Sequence, residues 1–144
     1  MEYEQMLCIF ITTKFVVMSA KALKPTESEL EILQVLWDKG EATVREVHEE
    51  LAKSKDIGYT TALKLLQIMF EKGLVSRDDS AKTHIYKPAV TREKTQKQLV
   101  GKMINTLFAG SPGQLVMQAL GNHNASKEEL DEIQRLLDSL KKPS

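Results

Sequence analysis

Polar side chains recur along one side of the third predicted helix of this sequence. Thr60, Lys64, Gln67 and Glu71 are spaced i, i+4, i+7 and i+11, which places them in one stripe on a helix surface. Thr61 stands beside this stripe in the first turn. Hydroxyl, ammonium and amide groups donate to phosphates and base edges, so the stripe predicts a helix that enters the major groove of DNA. The alternative is an ordinary amphipathic helix with a solvated face.

A basic pair of short strands is predicted after this helix. Its cationic or titratable side chains are Arg77, Lys82, His84 and Lys87, and Tyr86 adds a hydroxyl. Residues 57–91 carry five Lys and Arg against three Asp and Glu, whereas residues 24–56 carry five against nine. The positive potential is therefore concentrated on the half of the chain that is predicted to meet phosphate.

Three helices are predicted to position these side chains. Thr26 and Thr43 each precede a Glu by three residues, which is the pattern of a capping box at a helix start. The third helix ends before Gly73, and strands are predicted at 74–77 and 83–87. The apolar spacing predicts a core that contains Leu33, Trp37, Val47, Leu63, Leu66 and Phe70. Three helices followed by a basic hairpin predict a winged helix-turn-helix.

The rest of the chain is predicted to be helical, with apolar stripes. Their members are Leu99, Met103, Leu107, Leu115, Leu130, Ile133 and Leu137. Such stripes beyond a closed small domain expose apolar area unless they find a partner, so they predict a homodimer. The alternative is that they fold back on their own domain. The predicted fold is mainly α with a small β-hairpin: an N-terminal extension (1–22), a winged-helix DNA-binding domain (23–91) and a helical dimerisation domain (92–144).

No set of residues in the sequence suits catalysis or metal binding. His48, His84 and His123 are far apart, and Cys8 is the only cysteine, which excludes a disulfide and a cysteine cage. We therefore expect no enzyme activity, no metal and no cofactor. The 144 residues hold 20 Lys and Arg against 20 Asp and Glu. This neutral balance excludes a strongly basic nucleic-acid coat and leaves open an alternative function, a winged-helix adaptor that binds a protein and not DNA.

The N-terminal apolar segment does not predict membrane insertion. Residues 6–18 are too few to span a bilayer and are interrupted by Lys14. Glu2 and Glu4 precede them, where a signal peptide has basic residues, although Ala20 and Ala22 imitate a cleavage site. The segment is either an over-extended start or a loose strand, and we expect a cytoplasmic protein.

Several motifs resemble the penicillinase-repressor and methicillin-resistance-repressor family. They are the run from Thr26 to Trp37, the run from Gly58 to Leu66 that contains Tyr-Thr-Thr, the run from Glu71 to Val75, the segment His84-Ile85-Tyr86, and Leu115-Val116. The likeness covers about residues 24–140. It implies a dimeric repressor with an N-terminal winged helix that binds double-stranded operator DNA with dyad symmetry.

The resemblance also implies roles for individual residues. Thr60, Thr61 and Lys64 would face bases or nearby phosphates, Tyr59 would lie at the start of the recognition helix, and Arg77, Lys82 and His84 would lie on the wing. Several relatives are inactivated when a membrane sensor protease triggers their cleavage, and the matching bond here is about Lys102–Met103. The copper-sensing branch carries a C-terminal cysteine cluster that this sequence lacks, which argues against copper sensing.

Overall fold

The structure is a computed structural model that describes residues 24–143. The predicted N-terminal extension lies outside these residues. The described chain folds into two compact units, of which the first ends at Lys97 and the second begins at Gln98. In chain order the elements are α1 (Glu27–Lys39), β1 (Ala42–Thr43), α2 (Val44–Ala52), α3 (Tyr59–Lys72), β2 (Val75–Asp78), β3 (Ile85–Pro88), α4 (Arg92–Leu107), α5 (Pro112–Asn122) and α6 (Lys127–Lys141).

The first two helices begin where the capping pattern predicts. The Thr26 hydroxyl accepts a hydrogen bond from the amide of Glu29, and the Glu29 carboxylate accepts one from the amide of Thr26. Thr43 and Glu46 repeat this exchange at the start of α2. Both predicted capping boxes are therefore confirmed, as expected for a motif that depends only on neighbouring residues.

The sheet has three strands and not the predicted two. Their order is β1-β3-β2, and both pairings are antiparallel. Tyr86 on β3 pairs with Ala42 on one side and with Arg77 on the other. The prediction missed β1 because two residues are too few for a periodic pattern. The two hairpin strands are confirmed with boundaries shifted by one or two residues.

The core of the first unit lies between α1, α2, α3 and the sheet. Leu33, Val47 and Leu66 are fully buried, as predicted, while Trp37 and Leu63 are partly buried and pack against that core. The prediction for Phe70 is wrong, because its side chain is 38% exposed. In this turn of α3, Met69 occupies the core instead. It is fully buried and lies about 100° around the helix axis from Phe70.

The second unit contains the two C-terminal helices. Ser111 and Ser126 cap α5 and α6, and Pro112 occupies the first position of α5, where a missing backbone N–H costs nothing. Helix α5 continues through Gly121 to Asn122. Helix α4 stops at Leu107, and Ala109 and Gly110 then adopt positive φ. Among residues 24–143, no helix is both long and apolar enough to span a bilayer.

Candidate nucleic-acid interface

Helix α3 buries one face and exposes the other. Ala62, Leu66 and Met69 are fully buried against the core. The opposite face presents the predicted stripe and the first turn, and its exposed residues are Tyr59, Thr60, Thr61, Lys64, Gln67 and Glu71. The predicted exposure of the polar stripe is therefore confirmed, and a duplex has access to its hydroxyl, amide and ammonium groups.

The start of α3 leaves its backbone amides available. Gly58 is the N-cap, and in the described part of the chain no side chain caps this helix. Threonine or serine hydroxyls cap α1, α2, α5 and α6. The first amides of a helix are unpaired donors at the positive end of its dipole, so they favour phosphate.

His48 on α2 holds the segment that leads into α3, a role that the sequence did not indicate. Its Nε2 lies 2.8 Å from the carbonyl oxygen of Ile57. Its ring also meets that of Tyr59 edge-on, with centroids 6.0 Å apart. These contacts fix the turn before α3 and the first residue of the helix. The pairs are separated by about ten positions in the sequence, so no local pattern could reveal them.

The connection between β2 and β3 is a polar turn. The carboxylate of Asp78 accepts a 2.9 Å hydrogen bond from the amide of Ser80. Hydrogen bonds from the Ser80 hydroxyl and amide lower the pKa of Asp78 below its ordinary value. Lys82 lies farther along this turn and is exposed. Together, residues 75–88 form the wing of the winged helix.

Some cationic side chains near the wing already lie beside carboxylates, and others do not. Lys87 lies 3.3 Å from the carboxylate of Glu41, and His84 lies 3.5 Å from that of Asp79. Neither Lys82 nor Lys64 makes an ion pair within residues 24–143. Lys64 on α3 and Lys82 on the wing are therefore the two cations of this surface with the most freedom to reach phosphate.

Arg77 and Tyr86 are more enclosed than the sequence suggested. Only 24% of the Arg77 side chain is exposed, and its guanidinium lies 4.3 Å from the centre of the Phe70 ring. The Tyr86 hydroxyl and the Asp79 carboxylate next to Arg77 hold its pKa above the ordinary value. The prediction that Tyr86 offers its hydroxyl to DNA is wrong, because Tyr86 is fully buried in the centre of the sheet.

The second unit presents an apolar surface. Among the predicted dimerisation residues, Leu99, Leu115 and Ile133 are partly buried, and the exposed ones are Met103, Leu107, Leu130 and Leu137. A groove on this unit is lined mainly by apolar side chains, among them Phe108, Val116, Met117, Leu120, Leu137 and Leu140. Within the described chain, α5 and α6 contain no buried residue. So much apolar area on two helices is typical of a surface that another chain covers.

Between residues 24 and 143, no three His, Cys, Asp or Glu side chains are grouped so that they could hold a metal ion.

The chain is similar to known repressor proteins in both sequence and fold. The family model described as Penicillinase repressor matches residues 25–139. The penicillinase repressor of Staphylococcus aureus is 20% identical over 125 residues, which cover 87% of this chain and 99% of that protein. The transcriptional regulator BlaI of Mycobacterium tuberculosis is 29% identical over 124 residues, which cover 84% and 88%. The solution structure of the Bacillus licheniformis BlaI monomeric form in complex with the blaP half-operator is 23% identical, with a TM-score of 0.43, and covers 48% of this chain and 84% of that one.

Proposed function

The chain belongs to the penicillinase repressor family, and on that premise we propose that it is a sequence-specific repressor that binds a dyad operator as a homodimer. This family consists of transcriptional repressors and not of enzymes. The expectation that the chain is not an enzyme is thereby confirmed.

The observation that carries the proposal is the division of α3 into a buried and an exposed face. Ala62, Leu66 and Met69 hold the helix to the core, so its position does not depend on a ligand. Thr61 and Lys64 point away from that core and are open to solvent. In a helix docked in the major groove, short and medium polar side chains near the N-terminus reach base edges, and the free amides after Gly58 reach a phosphate.

The apolar surface and the modest charge support the proposed homodimer. The half of the first unit that carries α3 and the wing has an excess of only two positive charges in residues 57–91. One copy is therefore expected to bind DNA weakly. Covering Leu137 and its apolar neighbours against a second copy would join two winged helices with twofold symmetry, and this doubles the phosphate contacts on one duplex.

Cleavage in α4 is the proposed route of inactivation. The bond between Lys102 and Met103 lies in the middle of α4, and both side chains are exposed. The carbonyl oxygen of Lys102 accepts a 2.7 Å hydrogen bond from the Thr106 hydroxyl. A protease must therefore unwind this turn before it can cut, so we expect cleavage only when a sensor protease engages and opens the helix.

DNA binding is tested with duplexes that the purified full chain retains from a random pool. We expect fluorescence anisotropy to show tight binding that weakens steeply between about 50 and 200 mM salt. Sedimentation of the complex should show two chains on one duplex. The proposal fails if no duplex is bound in a salt-dependent manner. In that case, a protein partner that is lost on Lys64→Glu would support the adaptor function instead.

A further inference from the structure

Arg77 occupies a different kind of environment from the other cations of the wing. It lies on β2, opposite the fully buried Tyr86. Its guanidinium covers the ring of Phe70, which belongs to α3, and its Nε lies 2.7 Å from the carboxylate of Asp79 in the wing turn. The Arg77 side chain thus contacts α3 through Phe70 and the wing turn through Asp79, and it lies opposite Tyr86 of β3.

These contacts leave Arg77 poorly suited to bind phosphate. A guanidinium binds phosphate through donors in its plane, and here a carboxylate oxygen of Asp79 already lies 2.7 Å from Nε, while the Phe70 ring covers one face and limits how the group can turn. The negative charge of Asp79 also offsets the attraction of Arg77 for a nearby anion. Lys82 is the contrast, because it is exposed and makes no ion pair in the described chain.

The same contacts suit Arg77 to hold the wing in place. Residues 79–84 connect the two strands and carry Lys82, and a turn of this length loses conformational entropy when DNA orders it. The stack of Arg77 on Phe70 fixes the base of the wing to α3, and the Asp79 pair fixes the start of the turn. Phe70, which was predicted to lie in the core, lies on the surface of α3 and carries this stack.

The geometry points to Arg77 as a positioning residue that fixes the wing against the recognition helix, so that Lys82 meets the DNA backbone without further ordering. This inference rests on the proposed function. It assigns Arg77 an effect on DNA binding that passes through Lys82, and it removes Arg77 from the residues expected to contact phosphate.

A double-mutant cycle on the full chain separates the two roles. The probe is one duplex recovered from the random pool, and the readout is the slope of log affinity against log salt concentration. Each phosphate contact contributes about −0.9 to this slope, and every bound copy carries one Lys82, so Lys82→Ala should make the slope shallower by about one unit per bound copy. Arg77→Ala should reduce the salt slope by no more than Lys82→Ala does. The double variant should match Lys82→Ala, because a positioning residue has no further contact to lose.

Two further variants change the stack without the same change in charge. Arg77→Lys keeps the cation and loses the planar group, and Phe70→Leu keeps all charges and loses the ring. Both are expected to shift the slope in the same direction as Arg77→Ala. Arg135→Ala on α6 is the control for the loss of one exposed cation, and it should keep the slope of the unchanged protein. Thermal unfolding identifies any variant that does not fold. If one of Arg77→Lys and Phe70→Leu does not fold, the salt slope of the other tests the inference.

Different results would overturn the inference about Arg77 and the proposed function. A double variant whose slope is shallower by about two units per bound copy, or a Phe70→Leu and an Arg77→Lys protein with an unchanged slope, would mean that Arg77 binds phosphate itself. Either result overturns the inference and leaves the proposed function intact. If the unchanged protein shows no salt-dependent binding to any duplex, the proposed function and the inference both fail.

Discussion

The Oε1 atom of Glu29 lies 2.6 Å from the Nζ atom of Lys72, and this ion pair joins the first turn of α1 to the last turn of α3. Only 2% of the Glu29 side chain is exposed, while its second oxygen lies 2.9 Å from the same ammonium group. The C-terminal end of α3 is therefore tied to the residue that also completes the cap of α1.

Replacing Lys72 by Ala is expected to lower the free energy of unfolding by about 3 kcal/mol, because it leaves the Glu29 carboxylate buried without its partner. Urea denaturation measures the change. Lys53→Ala is the matched control, since its pair with Glu50 is exposed and should contribute under about 1 kcal/mol. An equal loss of unfolding free energy in the two variants would show that the burial of Glu29 does not strengthen its ion pair.

Replacing Thr61 by Ala should weaken binding to the selected duplex by about 1–3 kcal/mol, provided that its exposed hydroxyl contacts a base. Binding to a duplex of scrambled sequence should stay the same, because no base contact is lost there. Anisotropy titrations measure both. Thr61→Ser retains the hydroxyl and is expected to bind almost like the unchanged protein. A uniform loss on both duplexes would assign Thr61 to the DNA backbone.

Replacing Gly58 by Asp should stabilise the fold slightly and weaken DNA binding. The backbone here has φ −81° and ψ 155°, and an added Cβ would meet nothing within 4 Å, so the residue fits as an N-cap. The carboxylate would take amides of α3 that phosphate needs and would repel the phosphate, while stability rises by a few tenths of a kcal/mol. Thermal unfolding and anisotropy test the two effects.

Gly58→Asn is the control for Gly58→Asp, because it caps the helix without adding charge. If phosphate uses the amides, the Asn variant also loses affinity, although less than the Asp variant. Affinity unchanged in both would mean that DNA does not contact the start of α3.

Replacing Leu137 by Glu should give a monomer that still folds. Leu137 is 42% exposed and lines the apolar groove, so a charge there would be buried only if a second chain covers it. Sedimentation equilibrium should show a loss of dimer, and binding to a full dyad should fall towards the level of half-site binding. Arg135→Glu places the same residue on the opposite side of α6 and should leave the dimer intact. Dimers of unchanged strength in both variants would place the interface elsewhere.

The local elements of this protein were predictable from its sequence. The capping boxes at Thr26 and Thr43 join residues three positions apart, so the helix starts follow from adjacent residues alone. The polar stripe of α3 likewise depends on the helical period, and its exposure follows once the apolar side is assigned to the core. The winged-helix arrangement followed from the order of these elements.

Only the tertiary structure decided how distant residues meet. The pairing of Ala42 with Tyr86 adds a third strand, and the contact of Glu29 with Lys72 spans 43 positions. Both depend on how three helices pack, which no local pattern specifies. The same packing chose Met69 for the interior and left Phe70 outside beneath Arg77. Side chains that are neighbours in sequence on a helix lie about 100° apart, so the orientation of α3 about its own axis settles which of them is buried.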